Sequence, residues 1–145
     1  MSRANRIDRV SERRHAGIGR VLIAVYAVLA LAATGRSFVQ IVQRFEEAPL
    51  AYALSAVAAV VYGLATVALA GRSDAWRRVA LAAVCFEAVG VLVVGTLSLV
   101  APALFPHDTV WSSFGAGYLF IPLVLPVLGM WWLARHRPTS KADAS

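Results

Sequence analysis

The chain has 145 residues, 59% of them hydrophobic and 15% charged, with a formal net charge of +6. With a mean hydropathy of +0.68, that apolar share is more than a soluble domain of this length keeps dispersed, and too little chain lies outside the apolar stretches to build a second core. The basic balance raises nucleic acid as a partner, but the charges sit at the ends of apolar stretches, and the amino tail lacks the interleaved aromatics that stack bases, so no nucleic-acid partner is expected.

Residues 1–16 form a basic tail in which Arg alternates with Asp and Glu around isolated Ile7 and Val10. So few apolar groups make no packed face, and disorder is the expectation. A membrane domain follows over 17–134, with apolar stretches at 21–42, 50–70, 79–100 and 114–134. Each is close to the ~20 residues that cross a bilayer's hydrocarbon core, which predicts an all-α fold, a four-helix transmembrane bundle. The first stretch, with its basic leader and the small residues Ala30 and Ala32, imitates a secretory signal. It is read as a retained span, because apolar residues resume after Arg36 at Phe38, Val39, Ile41 and Val42.

The connection after the first span is short, so spans one and two are expected as an antiparallel hairpin, with Pro49 opening the second helix. In that helix Ala51, Ser55, Ala59 and Gly63 recur every four residues, a candidate stripe for close helix packing within the chain or between copies. The turn between spans two and three carries Arg72, Arg77 and Arg78. The longest connection precedes span four and holds Pro106, His107, Asp108 and Trp111, with Asp108 or Ser112 available as a helix cap. Pro122 and Pro126 are expected to bend span four. Trp76, Trp111, Trp131 and Trp132 all fall near span ends, where they suit the membrane interface.

The arginines set the orientation. Of the fourteen basic residues, twelve lie in the amino tail, in the connection between spans two and three, and in the carboxyl tail over 135–145, which includes Arg137 and Lys141. Four spans with cytoplasmic N- and C-termini place all twelve on one side, leaving Arg36 and Arg44 near the other. The tails then face anionic headgroups of the lipid bilayer, and the expected location is the plasma membrane, multi-pass.

Glu87 is the most specific chemical clue. It lies about 12 Å into the third span, where a bare charge costs several kcal/mol and the carboxyl needs a proton, a partner or a wet cavity. Helical arithmetic puts Tyr26 and Tyr62 at nearly the same height, so a polar layer of Tyr26, Tyr62 and Glu87 is predicted, with Pro126 and the freed carbonyl of Pro122 entering from span four. Arg36 is the one intramembrane cation, roughly 10 Å higher. Three readings stay open: an Arg36–Glu87 pair, a Glu87 bonded to tyrosine or backbone as structural glue, or a proton- or ligand-coupled site.

Enzyme templates are missing. His15, His107 and His136 are dispersed without metal-ligand spacing, and no nucleophile elbow, HExxH or phosphate-cradling loop occurs. His107-Asp108 beside Ser112-Ser113 reads more simply as a capping loop than as a nucleophile with its base. Lone Cys85 falls mid-span, where a thiol behaves as a small hydrophobe. No catalytic residue, metal site or cofactor is expected.

The segments EEAPLAY at 46–52, LFPHDTVWSSFGAGY at 104–118 and PLVLPVLG at 122–129 resemble those of small, uncharacterised four-span integral membrane proteins of actinobacterial type. The resemblance runs from Gly35 onward, implies a four-span plasma-membrane protein, and implies no activity or site residue. Small multidrug transporters also have four spans and a membrane glutamate, but in their first helix. The expected function is a non-enzymatic accessory or assembly component of a membrane complex, with a membrane-protein partner or a homo-oligomer. The alternative is a small proton- or cation-coupled transporter or channel using Glu87.

Overall fold

The computed structural model describes residues 2–135. The carboxyl tail, with His136, Arg137 and Lys141, lies outside them. Among the described residues the chain is all-helical. Helix α1 spans Arg3–Arg44, α2 Pro49–Ala70, α3 Asp74–Val100 and α4 Ile121–Arg135, and short 3₁₀ turns cover Phe45–Glu47, Pro102–Leu104 and Ser112–Tyr118. Three helices are long and apolar enough to cross a membrane, and α4 with the turn before it makes a fourth candidate.

One inward seam runs through Leu22, Tyr26, Leu29 and Ala33 on α1, Ala51, Ser55, Ala58, Tyr62, Ala65 and Leu69 on α2, Ala80, Val84, Glu87, Val91 and Val94 on α3, and Pro122, Pro126, Gly129 and Leu133 on α4, with further buried positions such as Tyr52, Val61, Ala83 and Leu125 beside it. Steps of three and four alternate, which keeps one seam of each helix turned inward. Sequential helices are neighbours, and α4 returns to α1. Thus α1 lies diagonally from α3, and side chains from the two meet at the bundle axis.

This seam corrects the expected stripe. Ala51 and Ser55 are fully buried, but the seam then passes through Ala58 and Tyr62, leaving Ala59 and Gly63 half-buried. Nothing lies within 4 Å of the place a Gly63 Cβ would take. A helix turns about 100° per residue, so a strict four-residue repeat drifts about 40° per step and Gly63 is carried some 120° away from Ala51.

The amino tail, expected to be disordered, continues α1. Ser2 Oγ accepts from the Asn5 amide, and neither proline nor glycine interrupts the chain before Gly17. Most of this extension is exposed.

Span four also differs from expectation. It is not one bent helix over 114–134, because the 3₁₀ segment and α4 meet at 97°. The break lies before the prolines, where Leu119 and Phe120 take left-handed backbone with φ of 57° and 59°. Such residues cost about 1–2 kcal/mol each. The turn is held by Ser113 N donating to Ser98 Oγ at 2.8 Å, by Phe120 N donating to Gly115 O at 3.0 Å, and by Phe114 filling the space over Gly95. Pro122 therefore opens α4, where its missing amide is not needed. Pro126 lies inside α4 and cannot bond the Pro122 carbonyl.

At the opposite end, Ser73 Oγ caps α3 by accepting from the Trp76 amide at 3.3 Å. Arg77 Nη2 donates to Leu133 O at 3.0 Å, which ties the start of α3 to a carbonyl in the last turn of α4.

Candidate functional site

Glu87 is the central residue of α3, thirteen residues from either end. It is 0% exposed, and the seam aims it at the bundle axis. Tyr26 crosses from α1 and donates its hydroxyl to Glu87 Oε2 at 2.6 Å. Tyr62 comes from α2, its ring centroid 6.1 Å from that of Tyr26. The layer of Tyr26, Tyr62 and Glu87 expected from helical height is thus assembled. Val84 and the Tyr26 hydroxyl are the groups nearest Gly129, so α4 closes the fourth side with backbone.

A fourth member comes from the long loop. Trp111 is 1% exposed, and its Nε1 donates to the Tyr62 hydroxyl at 2.9 Å. The indole is therefore packed inside the bundle, not laid on its surface. The reason is Gly90, one turn beyond Glu87: a Cβ there would stand 2.7 Å from the indole ring, so only glycine leaves room for it. Phe86 flanks the same ring at a centroid distance of 6.4 Å. A glycine three residues from a buried carboxylate was the available signal, but nothing along the chain pairs it with a residue 21 positions away.

The loop is built to hold that indole. Thr109 N donates to Ser112 Oγ at 2.8 Å, and Trp111 N donates to Thr109 Oγ1 at 3.1 Å. Ser112 therefore serves its own loop rather than capping a helix. His107 Nε2 lies 3.3 Å from Glu47 Oε2, and its ring stacks on Tyr52 at 6.0 Å. These contacts draw His107 away from the serines, toward the turn between α1 and α2.

Arg36 does not join the layer. Its Nη2 donates to Asp108 O at 2.8 Å, and Nη1 lies 3.5 Å from the Tyr118 hydroxyl. The Arg36–Glu87 pair fails because the loop supplies a carbonyl at the arginine's own height, and a guanidinium bonds what it reaches without leaving water.

No protein-family model, curated protein or solved structure matches this chain.

Electrostatically the layer is one-sided. Glu87 has a hydroxyl donor on Oε2, while Oε1 is buried without a partner, as is Ser55 Oγ. Among the described residues no cation is bonded to the carboxyl. The Glu87 side chain is 0% exposed, and among the described residues no group of three or more His, Cys, Asp or Glu is placed to hold a metal. Two hydrogen bonds hold the arrangement, Tyr26 to Glu87 between α1 and α3 and Trp111 to Tyr62 between the loop and α2, and the two pairs meet through the Tyr26 and Tyr62 rings.

Proposed function

We propose that the chain is a four-span integral protein of the plasma membrane with both termini cytoplasmic, acting as a non-enzymatic accessory or assembly component of a larger membrane complex. The observation that carries this reading is the closure of the polar layer: Tyr26, Tyr62 and Glu87 are 0% exposed and Trp111 1%. A transport site needs access from water, whereas this layer is closed on every side and the Tyr26 and Trp111 donors bond within it. Large apolar side chains such as Leu31, Phe38, Val60 and Val89 point outward on three helices, which suits contact with lipid or with a partner's helices.

The fourth crossing combines α4, about 22 Å long, with the Ser112–Tyr118 segment. Within that segment Ser112 and Gly115 are buried and Phe114 packs over Gly95, while Ala116, Gly117 and, just beyond it, Leu119 and Phe120 are exposed. The arginine distribution supports the orientation.

The coupled transporter stays as a second reading on one specific ground, the buried and unpartnered Glu87 Oε1. Purification from native membranes in mild detergent, followed by reconstitution, separates the two. An accessory subunit co-purifies with a second membrane protein at fixed stoichiometry, and vesicles holding it alone keep their pH gradient. A chain that by itself dissipates the gradient, and stops doing so as Glu87→Gln while still folded, overturns the accessory reading. Orientation is tested on a Cys85→Ala background: Ser73→Cys should react only with membrane-permeant reagents and Ala103→Cys with impermeant ones. The reverse pattern defeats it.

A further inference from the structure

Two apolar grooves run down the outside of the bundle, and their chemistry differs. The one between α2 and α3 encloses about 550 Å³ and is walled by residues such as Val57, Val60, Leu64 and Phe86, with no charged group. The one between α1 and α4 encloses about 920 Å³. Its walls include Gly17, Val21, Val127, Leu128 and Trp131, and Arg14 stands at one end. The Arg135 guanidinium lies 5.4 Å from the centroid of the Trp131 ring, so a second cation neighbours one of the groove's walls. Nothing lies within 4 Å of the place a Gly17 Cβ would take, which leaves the floor open.

An apolar trough about 12 Å long, measured from Arg14 to Leu22 on α1, with cations grouped at its end, matches a molecule with an acyl chain and an anionic head. A second copy of the chain fits less well. Symmetric pairing about an axis along the helices would set like cations at the same height against one another.

We propose that the α1–α4 groove is a binding site for an anionic glycerophospholipid, with the phosphate held between Arg14 and Arg135 and an acyl chain along Gly17, Val21 and Val127. This rests on the membrane reading above. Trp131 stands in the wall and reports occupancy.

The full-length protein is reconstituted in phosphatidylcholine vesicles with a minor fraction of lipid brominated on its chains, either phosphatidylglycerol or phosphatidylcholine. The Trp131 signal is the part of the quenching lost in Trp131→Phe. Two arginines enrich an anionic lipid at the groove by roughly thirtyfold over its bulk fraction, so brominated phosphatidylglycerol should quench Trp131 well beyond phosphatidylcholine. The excess should vanish in Arg14→Gln/Arg135→Gln, and also in Gly17→Leu, which fills the groove and keeps the charge. It should survive in Arg72→Gln/Arg78→Gln, which removes the same charge from exposed positions outside the groove. Equal quenching by the two lipids overturns the site, as does equal loss in both arginine pairs, which would mean general attraction to the surface. Efficient disulfide dimerisation of Gly17→Cys on a Cys85→Ala background overturns it in favour of a second copy. If neither brominated lipid quenches any tryptophan, the chain is not in the bilayer and the membrane reading itself fails.

Discussion

Tyr26 and Glu87, separated by 61 residues, meet through a 2.6 Å hydrogen bond at the bundle axis. The bond joins the diagonal helices α1 and α3, so the bundle's center is polar and both halves of the chain contribute to it.

Removing that donor leaves the carboxyl with neither oxygen satisfied. Tyr26→Phe is expected to destabilise the fold by about 1–3 kcal/mol. Glu87→Gln, which keeps an acceptor oxygen for the tyrosine, should cost less. Measured by unfolding in detergent, a cycle of the two changes should give a coupling near 1 kcal/mol, toward the upper part of the range for hydrogen bonds between membrane helices. Additive effects would show that the contact is energetically idle.

Trp111 anchors the long loop in the core. Trp111→Ala should cost about 3–5 kcal/mol through the cavity it opens. Tyr62→Phe, which removes only the acceptor for the indole N–H, should cost about 1 kcal/mol. Proteolysis of the 101–110 loop in vesicles provides an independent readout: Trp111→Ala should be cut faster than the native chain and Tyr62→Phe little faster.

Two glycines on neighbouring helices should respond in opposite directions. Gly90→Ala places a methyl 2.7 Å from the Trp111 ring and should destabilise by about 1–3 kcal/mol through overpacking. Gly63→Ala meets nothing within 4 Å and should be neutral, or stabilise by up to about 1 kcal/mol through helix propensity. A destabilising Gly63→Ala would restore the strict four-residue stripe as a packing face.

Arg36→Met should loosen the loop without disturbing the layer. The variant loses the bond to Asp108 O, so hydrogen exchange at Asp108 to Trp111 should rise while Glu87→Gln keeps the same cost in either background. Strong coupling between positions 36 and 87 would indicate an ion pair instead of the loop contact.

How much of this was legible along the chain differs by residue. Glu87, Tyr26 and Tyr62 were placed together because each sits in a regular helix, where a rise of about 1.5 Å per residue converts sequence position into height. The same arithmetic put Arg36 roughly 10 Å above Glu87 and left their pairing open; the loop carbonyl that Arg36 bonds decided against it. Helical arithmetic failed for Trp111, for Ser112 and for the start of α4, all of which lie in or beside irregular backbone. There, side-chain direction depends on individual φ and ψ values, four of them left-handed in non-glycine residues.

The amino-acid sequence alone determined the helical class, the apolar segments, the grouping of arginines and the height of the central carboxylate, because these follow from hydropathy and a fixed helical rise. Tertiary structure decided which face of each helix turns inward, that an indole from a distant loop fills the space over Gly90, and that Arg36 holds the loop rather than Glu87. Those outcomes depend on which surfaces fit together in three dimensions, and residues that fit are far apart along the chain.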